Sequence, residues 1–205
     1  MGKRQALAEY HRGSILAAAE RLFAEKGTEG TTMDDIAREA EYSKATLYVY
    51  FQSKEEIVGA ILLNGLAMLK KRVGQAIDSC EDWYAAYDAV CQAVLEFYAA
   101  NPTAYEAVMA GGAGAMEARG DRDVRRAIRE LCQELARFLE KGKAAGVVLE
   151  GQNDMEMVML FWASVSGMIR IADGSGGVFL EQMGKTREEF LKDGFRLILR
   201  AITGK

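Results

Sequence analysis

Between Ser43 and Lys54 the chain sets out Ser-Lys-Ala-Thr-Leu-Tyr-Val-Tyr-Phe-Gln-Ser-Lys, side chains suited to an anionic groove rather than to a reaction. Lys44 and Lys54 supply positive charge, and Ser43 and Thr46 supply short hydroxyls. Tyr48 and Tyr50 carry hydroxyls on rigid arms, a good match for phosphate oxygens. Proteins that read DNA direct most of their hydrogen bonds to phosphate and sugar from such residues, and only a few to base edges. Lys44 and Thr46 are therefore expected to reach bases or phosphates, with Ser43 and Ala45 beside them. Lys54 is expected to meet an anion at the open first turn of the next helix.

These side chains need a short helix held rigidly, and the flanking residues predict one. Thr32 is a helix N-cap, with Asp34 and Asp35 in the first turn, where negative charge suits the helix dipole. Asp35 at the third helical position makes a weak form of the capping box. Ile36, Ala37 and Ala40 then share one face. Glu41-Tyr42-Ser43 breaks the pattern, and Ser43 caps a second helix, Lys44 to Phe51, whose inward residues are Leu47 and Phe51. Ser53 opens a third, with Glu56 completing a full capping box. Upstream, Ser14 to Lys26 reads as an amphipathic helix stopped by Gly27, and Lys3 and Arg4 read as a flexible basic arm. A helix followed by two short helices joined by a tight turn is the helix-turn-helix arrangement, whose second helix enters the major groove.

Three stretches together carry a family resemblance: SILAAAERLFAEKG from Ser14, TTMDDIA from Thr31, and SKATLYVYFQSKEE from Ser43. Over residues 14–56 the chain closely resembles the DNA-binding domain of TetR-type transcriptional regulators. The resemblance implies that Thr46 contacts backbone or base, that Tyr48, Tyr50 and Lys54 contact phosphate, and that Lys44 lies on the base-reading face. Relatives often carry His at the position of Tyr50 and Gly at that of Ala45.

Composition agrees with a reader domain joined to a larger helical one. At 205 residues, half of them hydrophobic, the chain exceeds a DNA-binding unit alone. The expected fold is all-α with about nine helices: a three-helix DNA-binding domain over 1–53 and a ligand-binding and dimerisation domain over 54–205. Residues 1–56 hold 8 Lys/Arg against 10 Asp/Glu, so positive charge must be concentrated locally if phosphate neutralisation is to drive binding. No uninterrupted apolar run reaches the length of a membrane span, and the N-terminus has no signal-peptide core. Cys80, Cys91 and Cys132 are widely spaced and odd in number, which suits reduced thiols of a cytoplasmic protein. His11 is the single histidine, and no nucleophile elbow or phosphate-binding loop is present. Catalysis, a bound metal and a cofactor are therefore not expected.

The remaining sequence predicts helices over Lys54–Ile77, Asp82–Ala100, a short one after Pro102, one from Asp121 or Asp123 to Lys143, Met155–Asp173 capped by Asp154, and a last one capped by Thr186 with Glu189. Gly111–Gly120 and Gly174–Gly177 read as breaks. Met155–Asp173 is apolar nearly all round, which points to a core helix of a monomer or to a dimer face. The resemblance favours a homodimer through the last two helices, presenting two recognition helices roughly 34–36 Å apart to a near-palindromic operator. Trp83, Tyr87, Phe97, Tyr98, Tyr105, Met109, Phe138, Trp162 and Met168, with Met116 and Phe161, make an aromatic and Met-rich interior. Such a lining suits a small apolar or aromatic effector, with Glu106 and Arg170 as candidate polar anchors. The expected function is repression relieved by that effector. The competing reading is a helical small-molecule carrier without DNA binding.

Overall fold

The computed structural model describes residues 2–109, 122–174 and 177–204, with the side chains of residues 106–109 outside that description. The described residues form ten helices and no strand: α1 (Lys3–Lys26), α2 (Met33–Glu39), α3 (Lys44–Tyr50), α4 (Lys54–Asp78), α5 (Trp83–Ala100), α6 (Pro102–Met109), α7 (Arg122–Ala144), α8 (Asp154–Asp173), α9 (Gly177–Gln182) and α10 (Arg187–Thr203). The chain divides into two compact units. The first comprises 1–68 and 97–127, and the second 69–96 and 128–205. Helix α4 runs unbroken through residues of both.

In the first unit, local chemistry sets the helix ends. Thr32 and Asp35 exchange both capping-box bonds, so the acid does here what Glu does elsewhere. Glu41 has φ 60° and ends α2 in a Schellman turn, with Glu41 N–H donating to the Arg38 carbonyl and Tyr42 N–H to that of Ala37. Ser43 then caps α3 by accepting from Thr46 N–H at 3.1 Å. Ile15, Ala19, Ile36, Leu47, Phe51, Ile57 and Leu62 are buried in this unit's core.

Two expectations change here. Lys3 and Arg4 lie in α1, which starts eleven residues earlier than the apolar pattern indicated. Its first three turns bury nothing and rest on good helix formers. The Ser53–Glu56 capping box is half made. Glu56 N–H donates to Ser53 Oγ at 3.2 Å, while the Glu56 carboxylate accepts from Gln52 N–H at 2.7 Å.

In the second unit, Trp83 on α5 lies flat against Phe138 on α7, with ring centroids 4.8 Å apart and planes 6° apart. Its indole N–H donates to the Phe138 carbonyl at 3.0 Å. Tyr87 donates its hydroxyl to the Phe195 carbonyl on α10 at 2.9 Å. The cap of α8 is Asn153, accepting from Met155 and Glu156 N–H, and Asp154 instead pairs with Lys143 at 2.6 Å. The capping box of Thr186 and Glu189 is complete. Helix α9 starts at Gly177, the last residue of the break read at Gly174–Gly177, in a stretch where no helix was expected. The Gly111–Gly120 break lies outside the described residues.

Helix α8 is only partly enclosed by the rest of the chain. Met155, Met159, Leu160 and Ile171 are 40–67 % exposed, and only Val158, Val165 and Ile169 are buried. By length and mean hydropathy (1.4) it meets the composition of a membrane span, although no uninterrupted apolar run does, because Asp154, Glu156, Arg170 and Asp173 interrupt it near both ends.

Candidate nucleic-acid interface and effector cavity

Helix α3 buries one side chain, Leu47, and leaves Lys44, Ala45, Tyr48 and Val49 exposed. These four form two i, i+4 pairs and hence one continuous face. Ser43 Oγ and Thr46 Oγ1 lie 2.8 Å apart at its N-terminal edge, and Tyr50 is half-buried at the other end. Val49, 75 % exposed, was missed in the sequence, where an apolar residue between two tyrosines reads as packing. Its place one turn after Ala45 was the available signal. Small apolar side chains on such a face suit the thymine methyl group.

The electrostatics of this face explain how an acidic domain can bind an anion. Asp35 is tied to Lys26 at 3.0 Å and to Arg38 at 2.6 Å, and Glu39 to Arg21 at 2.9 Å. The hydrogen bond from Lys26, with those from Thr32, holds the Asp35 carboxyl well below the usual carboxylate range. Lys44 pairs with Asp34 at 2.7 Å, both of them exposed, and that hydrogen bond pushes the Lys44 ammonium above the ordinary lysine range. An exposed pair of this kind contributes little to stability, which leaves Lys44 able to change partner.

Lys54 opens α4, as its sequence context implied, and is already engaged there. Its ammonium donates to the carbonyls of Thr28 at 2.7 Å and Thr31 at 3.1 Å. It fastens the first turn of α4 to the α1–α2 turn, with one N–H left over. Gln52, in the connection before α4, donates its side-chain amide to the Tyr48 carbonyl four residues back and so closes the end of α3.

The residues expected to form one aromatic interior are divided between the two units. Phe97, Tyr98 and Tyr105 belong to the first, where Tyr98 and Tyr105 meet edge to face at 4.7 Å. Met109, Glu106 and Met116 lie outside the described side chains. The second unit holds an apolar cavity of about 40 Å³ lined by Tyr87, Val90, Leu135, Phe138, Leu139, Met157, Val158, Phe161, Ile198 and Ile202. Only Tyr87 and Phe138 of the expected nine line it. Trp83 stacks behind Phe138, Trp162 packs on Phe161 at 5.4 Å, and Met168 sits against Gly194. Arg170 is exposed and does not line the cavity. Burial raises the Tyr87 hydroxyl's pKa and pushes the Cys91 thiol up to about 12, so neither is ionised at neutral pH.

Among the described residues the chain is all-helical, with a capped, exposed helix on a helix-turn-helix frame, an arrangement suited to DNA binding. The family profile "Bacterial regulatory proteins, tetR family" matches residues 15–61, and "Tetracyclin repressor-like, C-terminal domain" matches 87–192. The chain belongs to the TetR family of transcriptional regulators. It is 30 % identical over 118 residues to the HTH-type transcriptional regulator HbdR of Aromatoleum sp. (strain CIB), covering 58 % of this chain and 50 % of that one. It is 41 % identical over 68 residues to the HTH-type transcriptional repressor KstR2 of Mycobacterium tuberculosis, covering 33 % and 34 %. The chain thus spans half or less of the length of these curated relatives. Among solved structures, the TetR family regulator PfmR from Thermus thermophilus superposes with a TM-score of 0.71 at 26 % identity, covering 91 % of this chain and 97 % of that one. The ketosteroid transcriptional regulator KstR2 of Mycobacterium tuberculosis shares the fold, with a TM-score of 0.70 at 21 % identity and 95 % of each chain covered.

Proposed function

We propose that the chain is an effector-responsive repressor that binds a near-palindromic operator as a homodimer and releases it when a small apolar or aromatic molecule binds. The observation that carries the DNA reading is the continuous exposed face of α3. Ala45 and Val49 are the apolar base contacts, Lys44 and Thr46 the polar contacts to base or phosphate, and Ser43, Tyr48 and Tyr50 the phosphate contacts. Lys54 acts by holding the turn, through its bonds to the Thr28 and Thr31 carbonyls. Residues 1–53 form the reader and 54–205 the sensing and dimerising part. The exposed apolar surface of α8, with Leu197 of α10 at 64 % exposure, supports dimerisation through the last two long helices.

The effector's chemistry follows from the cavity. Its lining offers one hydroxyl, already donated to the Phe195 carbonyl, so a charged ligand finds no partner there. A volume of about 40 Å³ holds a few waters, whereas ligand pockets measure roughly 300–1,000 Å³. The effector must therefore displace part of this lining, which includes Met157, Val158 and Phe161 of α8, and that would couple its binding to α8. A related fold named for ketosteroids is in keeping with an apolar ligand. Strain passed along the unbroken α4 would reorient the reader, and by linkage DNA must weaken effector binding by the same factor. Titration of a selected duplex with the Lys44→Ala and Tyr48→Phe variants tests the reading. Both should bind more weakly with fold and oligomeric state intact, and unchanged affinity in both would defeat it.

A further inference from the structure

The single histidine of the chain sits where the reader domain is held together. His11 Nδ1 lies 2.6 Å from the Tyr42 hydroxyl, and its ring packs 5.5 Å from that of Tyr50. Tyr42 lies two residues before the first residue of α3, and Tyr50 is its last. The next residue, Arg12, donates to the Tyr50 carbonyl at 2.8 Å and covers the Phe51 ring at 4.1 Å. One turn of α1 thus grips both ends of a seven-residue helix that buries a single side chain of its own. One leucine supplies burial energy but no orientation, because the hydrophobic effect is non-directional. Directional ties have to come from outside α3, and among the described residues these join the exposed Lys44–Asp34 pair in supplying them.

We propose that His11 is a positioning residue for the recognition helix, acting through Tyr42 and Tyr50, and that it makes operator affinity depend on pH. The proposal rests on the assignment of α3 as the DNA reader. A neutral imidazole accepts from the Tyr42 hydroxyl or donates to it, according to tautomer. The imidazolium only donates, which turns the Tyr42 proton away, and it adds a positive charge beside Tyr50, a proposed phosphate contact. The ring is half-buried, so protons reach it.

The charged groups on the packed elements favour this outcome. On α2 and α3, Asp34, Asp35, Arg38, Glu39 and Lys44 are bound into ion pairs. Arg12 is engaged with the Tyr50 carbonyl, Tyr10 meets His11 edge to face at 5.7 Å, and exposed Glu41 precedes Tyr42 in the chain. An added cation near a phosphate strengthens DNA binding, so affinity should rise as pH falls. The chain has no other histidine, so replacing this one isolates its contribution to any pH profile.

The test is operator affinity from pH 8 to 5.5 at fixed ionic strength for the wild type, His11→Asn and His11→Ala, with thermal unfolding measured alongside. Asn places an amide near the position of Nδ1 but does not titrate. Wild-type affinity should rise roughly 3- to 10-fold toward pH 5.5, the scale of one exposed ion pair in each half of a dimer. His11→Asn should bind close to the neutral wild type with a flat profile. His11→Ala should bind more weakly at every pH. The α-amino group is common to all three and cancels. A pH profile that survives in His11→Asn, or His11→Ala affinity equal to wild type, overturns the proposal while the DNA reading stands. A wild type that binds no selected duplex at any pH overturns both.

Discussion

Gly142 offers a sharp test of how the second unit is packed. A methyl group built there would stand 2.5 Å from Val148 Cγ2, 2.6 Å from Trp83 Nε1 and 2.7 Å from Trp83 Cε2. The Val148 methyl and the indole ring must both give, by close to 1 Å, and the ring cannot do so freely. It is stacked on Phe138 and bonded to the Phe138 carbonyl at 3.0 Å. Gly142→Ala therefore costs about 1–3 kcal/mol for overpacking and about 1–3 kcal/mol for a stranded buried N–H. Against this stands a helix-propensity gain of about 1 kcal/mol, since Gly142 lies within α7. The net loss is about 1–5 kcal/mol, which lowers the melting temperature by roughly 2–20 °C for a chain of this length. Thermal unfolding at fixed protein concentration, with tryptophan emission as a second probe, measures it. Phe138 lines the cavity, so the variant should also change the binding of apolar probes. A variant that melts at or above the wild type would show that the propensity gain wins and that Trp83 is not wedged against this glycine.

Three further outcomes follow from single contacts. Lys54→Met should lower stability by about 1–2 kcal/mol through its two lost carbonyl bonds, yet leave the salt dependence of operator binding nearly unchanged. A slope reduced by about 0.9 per half-site would instead mark Lys54 as a direct phosphate contact. Glu41→Gly should stabilise the reader by about 1 kcal/mol in denaturant unfolding, because Glu41 holds a left-handed conformation that glycine adopts freely. Asp35, with its folded-state pKa depressed, contributes stability that is present above the ordinary carboxylate range and is lost as pH falls through the depressed value. The difference in melting temperature between wild type and Asp35→Asn should accordingly be constant from neutral pH to about 4 and narrow only below that, and a difference already gone at pH 5 would contradict it.

The parts of the fold that were legible in the sequence are those set within one turn of chain. Thr32 with Asp35, Ser43 with Thr46, and Thr186 with Glu189 need no tertiary partner, and the helices they start were readable from them. Asn153 and Asp154 are both competent caps in succession, and the choice is made by Lys143, eleven residues from Asp154, which local reasoning does not see. Lys54 illustrates the same limit at the site. Its acceptors, Thr28 and Thr31, are 26 and 23 residues away, so the sequence showed an available cation where the fold has one already engaged. The first turns of α1 lack apolar periodicity because they bury nothing, and propensity alone was the clue. Periodicity marked Phe97, Tyr98 and Tyr105 as inward-facing but carried no information about which unit they face into.

The central claim is sequence-specific DNA binding by the exposed face of α3. Selection of bound duplexes from a random pool by the purified chain tests it most directly. The expected result is a near-palindromic consensus with half-sites about one helical turn apart, lost when Lys44 and Tyr48 are replaced together. Failure to enrich any sequence, or enrichment that survives that double replacement, would contradict it.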